Sequence, residues 1–451
     1  MKPMARVSAF GFTLVVTLSL GCDAQRASGP LPALTLQRSE HHGGSECGSS
    51  SPNRHAQVAL LCAITVPGNP ILSGTKSWVD DETERYYLTD VSNAGVDIID
   101  AESNAYVGRV GGFVGTAGTG GGTSTTNGAG PNSIVFARHH QAWVSDGNSM
   151  VRVLDNNSMR IIASISTAVP ACDDGTNHYC GRTNEITYDP EHRLIFVQNP
   201  SPLAVGGAHG AIDTYATFIS AVPPYHVVGT ISFPDRRGQE APLWDPRQHR
   251  ILTAVSGRLV GTTVFQQYVA VIDPTVRPFT IEKKYDIDCQ ALGLTGFGIN
   301  DPALGPDEHM VIPGCGKALI MDARTGAITV ITQVGGGNET WYNPGDGRFY
   351  VPGVDATTGV NSLGVIDART STWLQSVPAV QATNPTAFGE NNHIFAVVQV
   401  TAAQVANPAL DTSACSLFGF TGTGCITVFG HVGHADHENE HEHEGRTGHE
   451  R

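Results

Sequence analysis

The chain has 451 residues, a formal net charge of −15, 40% hydrophobic residues and only 15% charged ones. That size allows one large domain or two to three ordinary ones, and the acidic balance, with no basic face visible, excludes an ordinary nucleic-acid binder. With 52 glycines, 26 prolines and no long window of apolar residues at helical spacing, the sequence predicts many short strands joined by turns.

Taken in chain order, the first segment is an export signal. Lys2 and Arg6 precede an apolar run, 7–21, that is too short for an ordinary membrane span. The run ends in "LSLGC" and resembles the lipobox of bacterial lipoproteins, with Ser19 where Leu is usual. The resemblance implies that 1–22 is a lipoprotein-type signal segment and that Cys22 is lipidated, anchoring the chain to a membrane. As a lipoprotein, a secreted chain or an uncleaved anchor, the body is expected outside the cytoplasm, in the periplasm or at the outer surface. Residues 23–54, rich in Ser and Gly, read as a flexible tether.

From about residue 55 a repeat sets in: an alternating apolar strand closed by Asp and a small polar turn. It reads "VDIIDAESNA" at Asp100, "VRVLDNNSMR" at Asp155, "VAVIDPTVRP" at Asp273, "ALIMDARTGA" at Asp322 and "LGVIDARTST" at Asp367. Degenerate copies fall at Ser220 and Gly430. Each copy has a companion strand upstream, such as "RYYLTD" or "RFYVPG". Most have a further short strand before that, as in "NEITYDPEH", "EAPLWDPRQH" and "NETWYNPGDG", and a fourth after the turn, such as "YVGRVG". Seven units of four strands, spaced by roughly 45–65 residues, predict an all-β, seven-bladed β-propeller with antiparallel blades. The last unit lacks a fourth strand, while 57–66 ("QVALLCAITV") is a spare one. A ring must close to avoid an unpaired edge, so the N-terminal strand is expected to complete blade seven, giving a propeller over 55–432. The stretches "YYLTDVSNAGVDIIDAESN" and "AWVSDGNSMVRVLDNNSM" resemble the YVTN-type repeat propellers, a likeness that implies the fold and says little about activity.

Apart from Cys22 there are eight cysteines, an even number that in an exported chain reads as disulfides. Sequence neighbours suggest Cys172–Cys180 and Cys415–Cys425, and elimination leaves Cys289–Cys315 and Cys47–Cys62.

The connections are uneven. Those between strands one and two, or three and four, of a blade are short. The long pieces (111–130, 168–182, 199–215 and 399–425) all fall on the opposite face of the expected ring. Function gathers in loops on a rigid scaffold, so a ligand or partner site is expected there.

Three groups carry candidate chemistry. Asn132, Asn184, Glu185, Glu240, Asn338, Glu339 and Asn384 open the innermost strands, where they could converge on the channel axis as ligands of Ca²⁺ or Mg²⁺, or simply cap strands and bond loop backbone. "EAPLWDP" resembles the Glu motif of gluconolactonase-type propellers, which implies a metal-ligand role for Glu240. Ala241 stands where that family usually has Gly, and that family has six blades. The second group is the tail, 433–451, expected to be disordered. His434, His437, His441, His443 and His449 there, with His431 just before them, are suited to Zn²⁺, Ni²⁺ or Cu²⁺. The third is a set of scattered histidines. His139 and His140 read as an exposed turn, His209 as a lone loop residue, and His178 as a bystander to the Cys172–Cys180 disulfide. No G-x-S-x-G, H-E-x-x-H, P-loop or EF-hand loop occurs. The expected function is a cell-envelope binding or scaffold module for an unknown protein or small molecule. The alternatives are a metal-dependent, lactonase-like hydrolase at the channel mouth and transition-metal binding through the tail.

Overall fold

The computed structural model describes residues 47–433, apart from 49, 52, 117–127, 138–139, 173–179, 201–212, 235–237, 261–262, 266 and 380. Cys22, His139, His178, His209 and the tail from His434 lie outside the described residues.

Seven antiparallel sheets form a closed ring, a seven-bladed β-propeller. Blade one shows the plan: Gly74–Asp80 innermost, then Arg85–Asp90, Gly95–Asp100 and, outermost, Tyr106–Gly111. The two middle strands are buried almost throughout, because a neighbouring blade covers each of their faces. Outermost strands such as Arg160–Ser166 alternate between exposed side chains and half-buried or buried ones, as expected where one face meets solvent. The hydrophobic cores accordingly lie between blades. Tyr87, Val96 and Ile98 of blade one pack on Ile134, Ala142 and Val144 of blade two, and the pattern repeats around the ring.

The repeated Asp has a local cause. The side-chain oxygen of Asp100 accepts the Ser103 N–H at 2.8 Å, and Asp155, Asp273, Asp322 and Asp367 do the same for residues two or three further on. An Asx turn therefore ends the third strand and aims the chain into the fourth. In the degenerate copy, Ser220 does this with its hydroxyl, accepting the Val222 N–H.

The ring closes as the sequence predicts. Gln57–Ile64 pairs antiparallel with Cys425–Val432, from Gln57 opposite Val432 to Ile64 opposite Ile426. Gln375, on the outermost strand of blade six, bonds both the N–H and the carbonyl of Val58 at 2.9 Å, which pins the closing strand to its neighbour. All four disulfides, Cys47–Cys62, Cys172–Cys180, Cys289–Cys315 and Cys415–Cys425, are formed.

Two departures from the regular plan matter for the site. In blade six the inner strand is broken into Val334–Gly335 and Trp341–Asn343, with 336–340 looping between them. In blade five the inner strand is reduced to Ala303–Leu304. The long connections share one face, as the topology requires. On it also lie two the sequence did not single out: 288–302, and 256–266 with its small hairpin of Arg258–Val260 and Thr263–Phe265. The 399–424 connection is ordered by a helical turn, Ala402–Ala406, capped by Thr401 and Gln404, and by the Cys415–Cys425 bond.

Candidate functional site at the channel mouth

The innermost strands start at the long-loop face, so the residues that open them surround the mouth of the central channel. Strand alternation decides which point inward. Lys76 and Trp78 share one face of the blade-one strand, and Glu339 and Trp341 stand in the same relation in blade six. The two tryptophans meet edge to face with ring centroids 5.1 Å apart. The two residue pairs form layers, charged at the mouth and aromatic beneath.

In the charged layer, Lys76 Nζ lies 2.8 Å from Asp301 Oδ2, 3.3 Å from Glu339 Oε1 and 3.4 Å from Glu185 Oε2. One ammonium from blade one thus joins carboxylates from blades three, five and six. The Lys76 side chain is only 12% exposed, and those of its three partners less. Asp301 is held by backbone: its N–H donates to the Asn338 carbonyl at 3.0 Å, and its Oδ1 accepts from the Ala241 N–H. The break in the blade-six strand makes this pairing possible, since it lets Glu339 run alongside Asp301 as an isolated parallel bridge.

Burial pulls the Lys76 ammonium down, but Asp301, Glu185 and Glu339 together outweigh it and hold it well above its ordinary value. Burial pushes Glu185 up to about 7 against the pull of Lys76, with Asp301 adding to the rise. Glu240 goes up to about 8, from burial and then the charges of Asp301 and Glu185. Burial likewise raises Glu339 well above the usual carboxylate range, and lowers the Arg182 guanidinium, which Glu185, Glu240 and Asp301 support. Four carboxylates here face two cations.

The expected residues divide into two kinds. Glu185 and Glu339 meet at Lys76, and Glu240 stands beside them within reach of their charge. The asparagines instead hold backbone. Asn132 Nδ2 donates to the Ala129 and Thr183 carbonyls at 2.8 and 2.9 Å, and its Oδ1 accepts from Arg182 at 3.5 Å. The buried Asn184 donates its backbone N–H to the Gln198 carbonyl. Asn338 is exposed and serves through its carbonyl. Asn384, at φ 54°, accepts the Ser77 hydroxyl at its carbonyl.

Lys76, Asp301 and Arg182 are the members that sequence reasoning missed. A signal existed for Asp301: Asn300–Asp301 repeats the Asn–acid pair of Asn184–Glu185 and Asn338–Glu339 at the equivalent place in blade five. Lys76 carries no such mark, being a single lysine in an unexceptional strand. Of the remaining histidines, His431 belongs to the ring. It is buried in the last strand, with Nε2 3.0 Å from Asp346 Oδ2. His140 sits in a turn on the plain face, 3.7 Å from Glu82.

Among the described residues, Glu185, Asp301 and Glu339 are the one group of three metal-ligating side chains, with donor atoms within 4.8 Å of one another. The point they surround is the one Lys76 Nζ reaches. Compared with known proteins, the chain matches no family model and no curated protein, so its classification rests on the propeller itself.

Proposed function

We propose that this chain is an exported, lipid-anchored propeller of the YVTN-repeat type that acts as a binding or scaffold module in the cell envelope, with its ligand face at the long loops. The carrying observation is the Lys76 ion lattice. Carboxylates that could hold a catalytic cation already converge on an ammonium supplied by the chain, so a divalent ion fits only if Lys76 is displaced. That favours a plugged, rigid platform over a metal-dependent, lactonase-like centre, in which the ion would have to polarise a carbonyl or a water.

The distribution of exposed apolar side chains supports the choice of face. Among the exposed large apolar side chains, Leu72, Phe297, Val354, Leu410 and Leu417 lie on or beside the long-loop connections, Val222 and Val276 on the opposite turns, and Val107, Ile162, Val227 and Leu374 on outermost strands. The described chain enters at the plain face. Ser50 and Ser51 are hydrogen-bonded to His431 at the end of a strand that runs toward the plain face.

Two experiments test this reading. Elemental analysis of purified protein is expected to find no stoichiometric Ca or Mg, and a lactone and ester screen no turnover with or without divalent cations. A tightly held ion together with turnover would reinstate the hydrolase. Labelled palmitate is expected to enter the chain in bacteria and to be lost in Cys22→Ala, and an unlabelled wild-type chain would remove the lipid anchor from the proposal.

A further inference from the structure

Of the four carboxylates at the mouth, Glu240 is the most exposed. It is half-buried, whereas Glu185, Asp301 and Glu339 are buried around the Lys76 ammonium. Among the described residues the Glu240 carboxylate makes no ion pair and no hydrogen bond, and Lys76 and Arg182 act on it through their charge. One carboxylate therefore still faces solvent after the chain has placed its own cations.

The seam between blades three and four, which ends at Glu240, is short of donors as well. Gln198 reaches across from blade three and donates Nε2 to the Glu240 carbonyl at 2.8 Å and to Thr253 Oγ1 at 2.7 Å. Gln239 reaches back, donating Nε2 to Thr214 Oγ1 at 3.4 Å. These two side chains belong to residues 0% and 1% exposed, yet neither amide oxygen has a hydrogen-bond partner. Buried acceptors without donors are costly, and here two of them adjoin an unpaired carboxylate. The space beside that carboxylate is bordered by glycine. A side chain on Gly238 would touch Glu240 Oε1 and the Ser256 Cβ, and one on Gly298 would touch Ser256 Oγ. Phe297, next to Gly298 in the chain, is 52% exposed, so an aromatic ring borders the same spot.

We propose that the channel mouth binds an organic cation through a primary ammonium group, which pairs with the Glu240 carboxylate, takes the Gln198 amide oxygen as a further acceptor and lays its carbon chain against Phe297. This rests on the reading of the long loops as a binding face and names the class of ligand. Ca²⁺ suits the spot poorly, because it needs about six to eight oxygens and the neighbouring carboxylates are already held by Lys76. An ammonium brings one charge and three donors, and a ring beside it adds cation–π attraction.

Calorimetric titration of n-butylammonium into the full chain at low ionic strength is the test. One site is expected, weakened about tenfold or more in Glu240→Gln and about two- to fivefold in Phe297→Ala. Tetramethylammonium, which has no N–H, should bind about tenfold more weakly or worse. Because Glu240 holds its proton up to about 8, binding must displace it. Wild-type affinity should therefore rise about tenfold or more from pH 6 to pH 9, and most of that rise should be gone in Glu240→Gln. N-acetyl-lysine amide binding more tightly than n-butylammonium assigns the site to a lysine side chain of a partner, and the reverse to a free amine. No binding, equal binding by wild type and Glu240→Gln, or equal binding of tetramethylammonium overturns the proposal, and an unaffected Phe297→Ala removes the aromatic contact. A chain that binds no amine, holds no metal and turns over no ester loses this site and keeps its binding face. Bound Ca²⁺ together with turnover removes both.

Discussion

The two faces of the propeller solve the problem of buried polar groups in opposite ways. At the long-loop mouth, carboxylates from three blades find their counter-ion within the chain, and Lys76 ties them across the axis. On the plain face, His393 is buried as deeply as those acids, and burial drives its proton off, lowering the ring to about 4 against the pull of the Ala101 backbone. A charged network that supplies its own counter-ion rigidifies a fold, whereas a lone buried base gives up its charge instead. The difference teaches that a ring of acids at a propeller mouth is not by itself a metal site. What decides is whether the chain has already spent a cation there.

The largest test of that contrast is Lys76→Met. It keeps the length of the side chain and removes the charge, leaving Glu185, Asp301 and Glu339 with Arg182 as the one nearby cation. Breaking a buried ionic cluster from one side costs about 3–5 kcal/mol, so the denaturant midpoint should fall sharply. The vacated point is surrounded by three oxygens within 4.8 Å of one another, and Ca²⁺ should therefore restore part of the loss in the variant while leaving the wild type unmoved. An unchanged midpoint, or equal calcium effects in both proteins, would mean that Lys76 is not the cation of this site.

Much of the fold was legible in the sequence because each blade repeats a local device. The Asp turn after the third strand is set by a side chain bonding backbone two or three residues on, and such short-range chemistry leaves a mark that can be read. Ring closure by 57–66 was legible from an unpaired edge, a constraint that needs no coordinates. The site was legible only in part. Glu185, Glu240 and Glu339 occupy equivalent places in the repeat, and so does Asp301, which a stricter alignment of blades would have found. Lys76 could not be found this way, since its role depends on reaching across the axis to blades three, five and six. Sequence spacing carries no information on that reach.

The smaller effect concerns Glu240, the carboxylate of the mouth that Lys76 does not touch in a salt bridge, and it separates charge excess from charge pairing. Its folded value, about 8, lies above its ordinary 4.5. Below pH 4.5 it is protonated in both folded and unfolded chains and contributes nothing to their difference in charge. As pH rises from 4.5 toward 8, the unfolded chain releases this proton first, so the folded state holds more protons and stability falls across that window. Glu185, raised to about 7, acts in the same direction over a narrower range. Glu240→Gln keeps the shape and removes the titration. It should leave stability at pH 4 nearly unchanged and raise it at pH 9 by about 1–2 kcal/mol, less than the full linkage because the side chain is part-exposed. Urea midpoints of wild type and variant from pH 4 to 9 measure this directly. Curves that diverge with rising pH mark Glu240 as surplus negative charge at the mouth. Parallel curves would mean that its carboxylate is already balanced, with Arg182 as the cation that balances it.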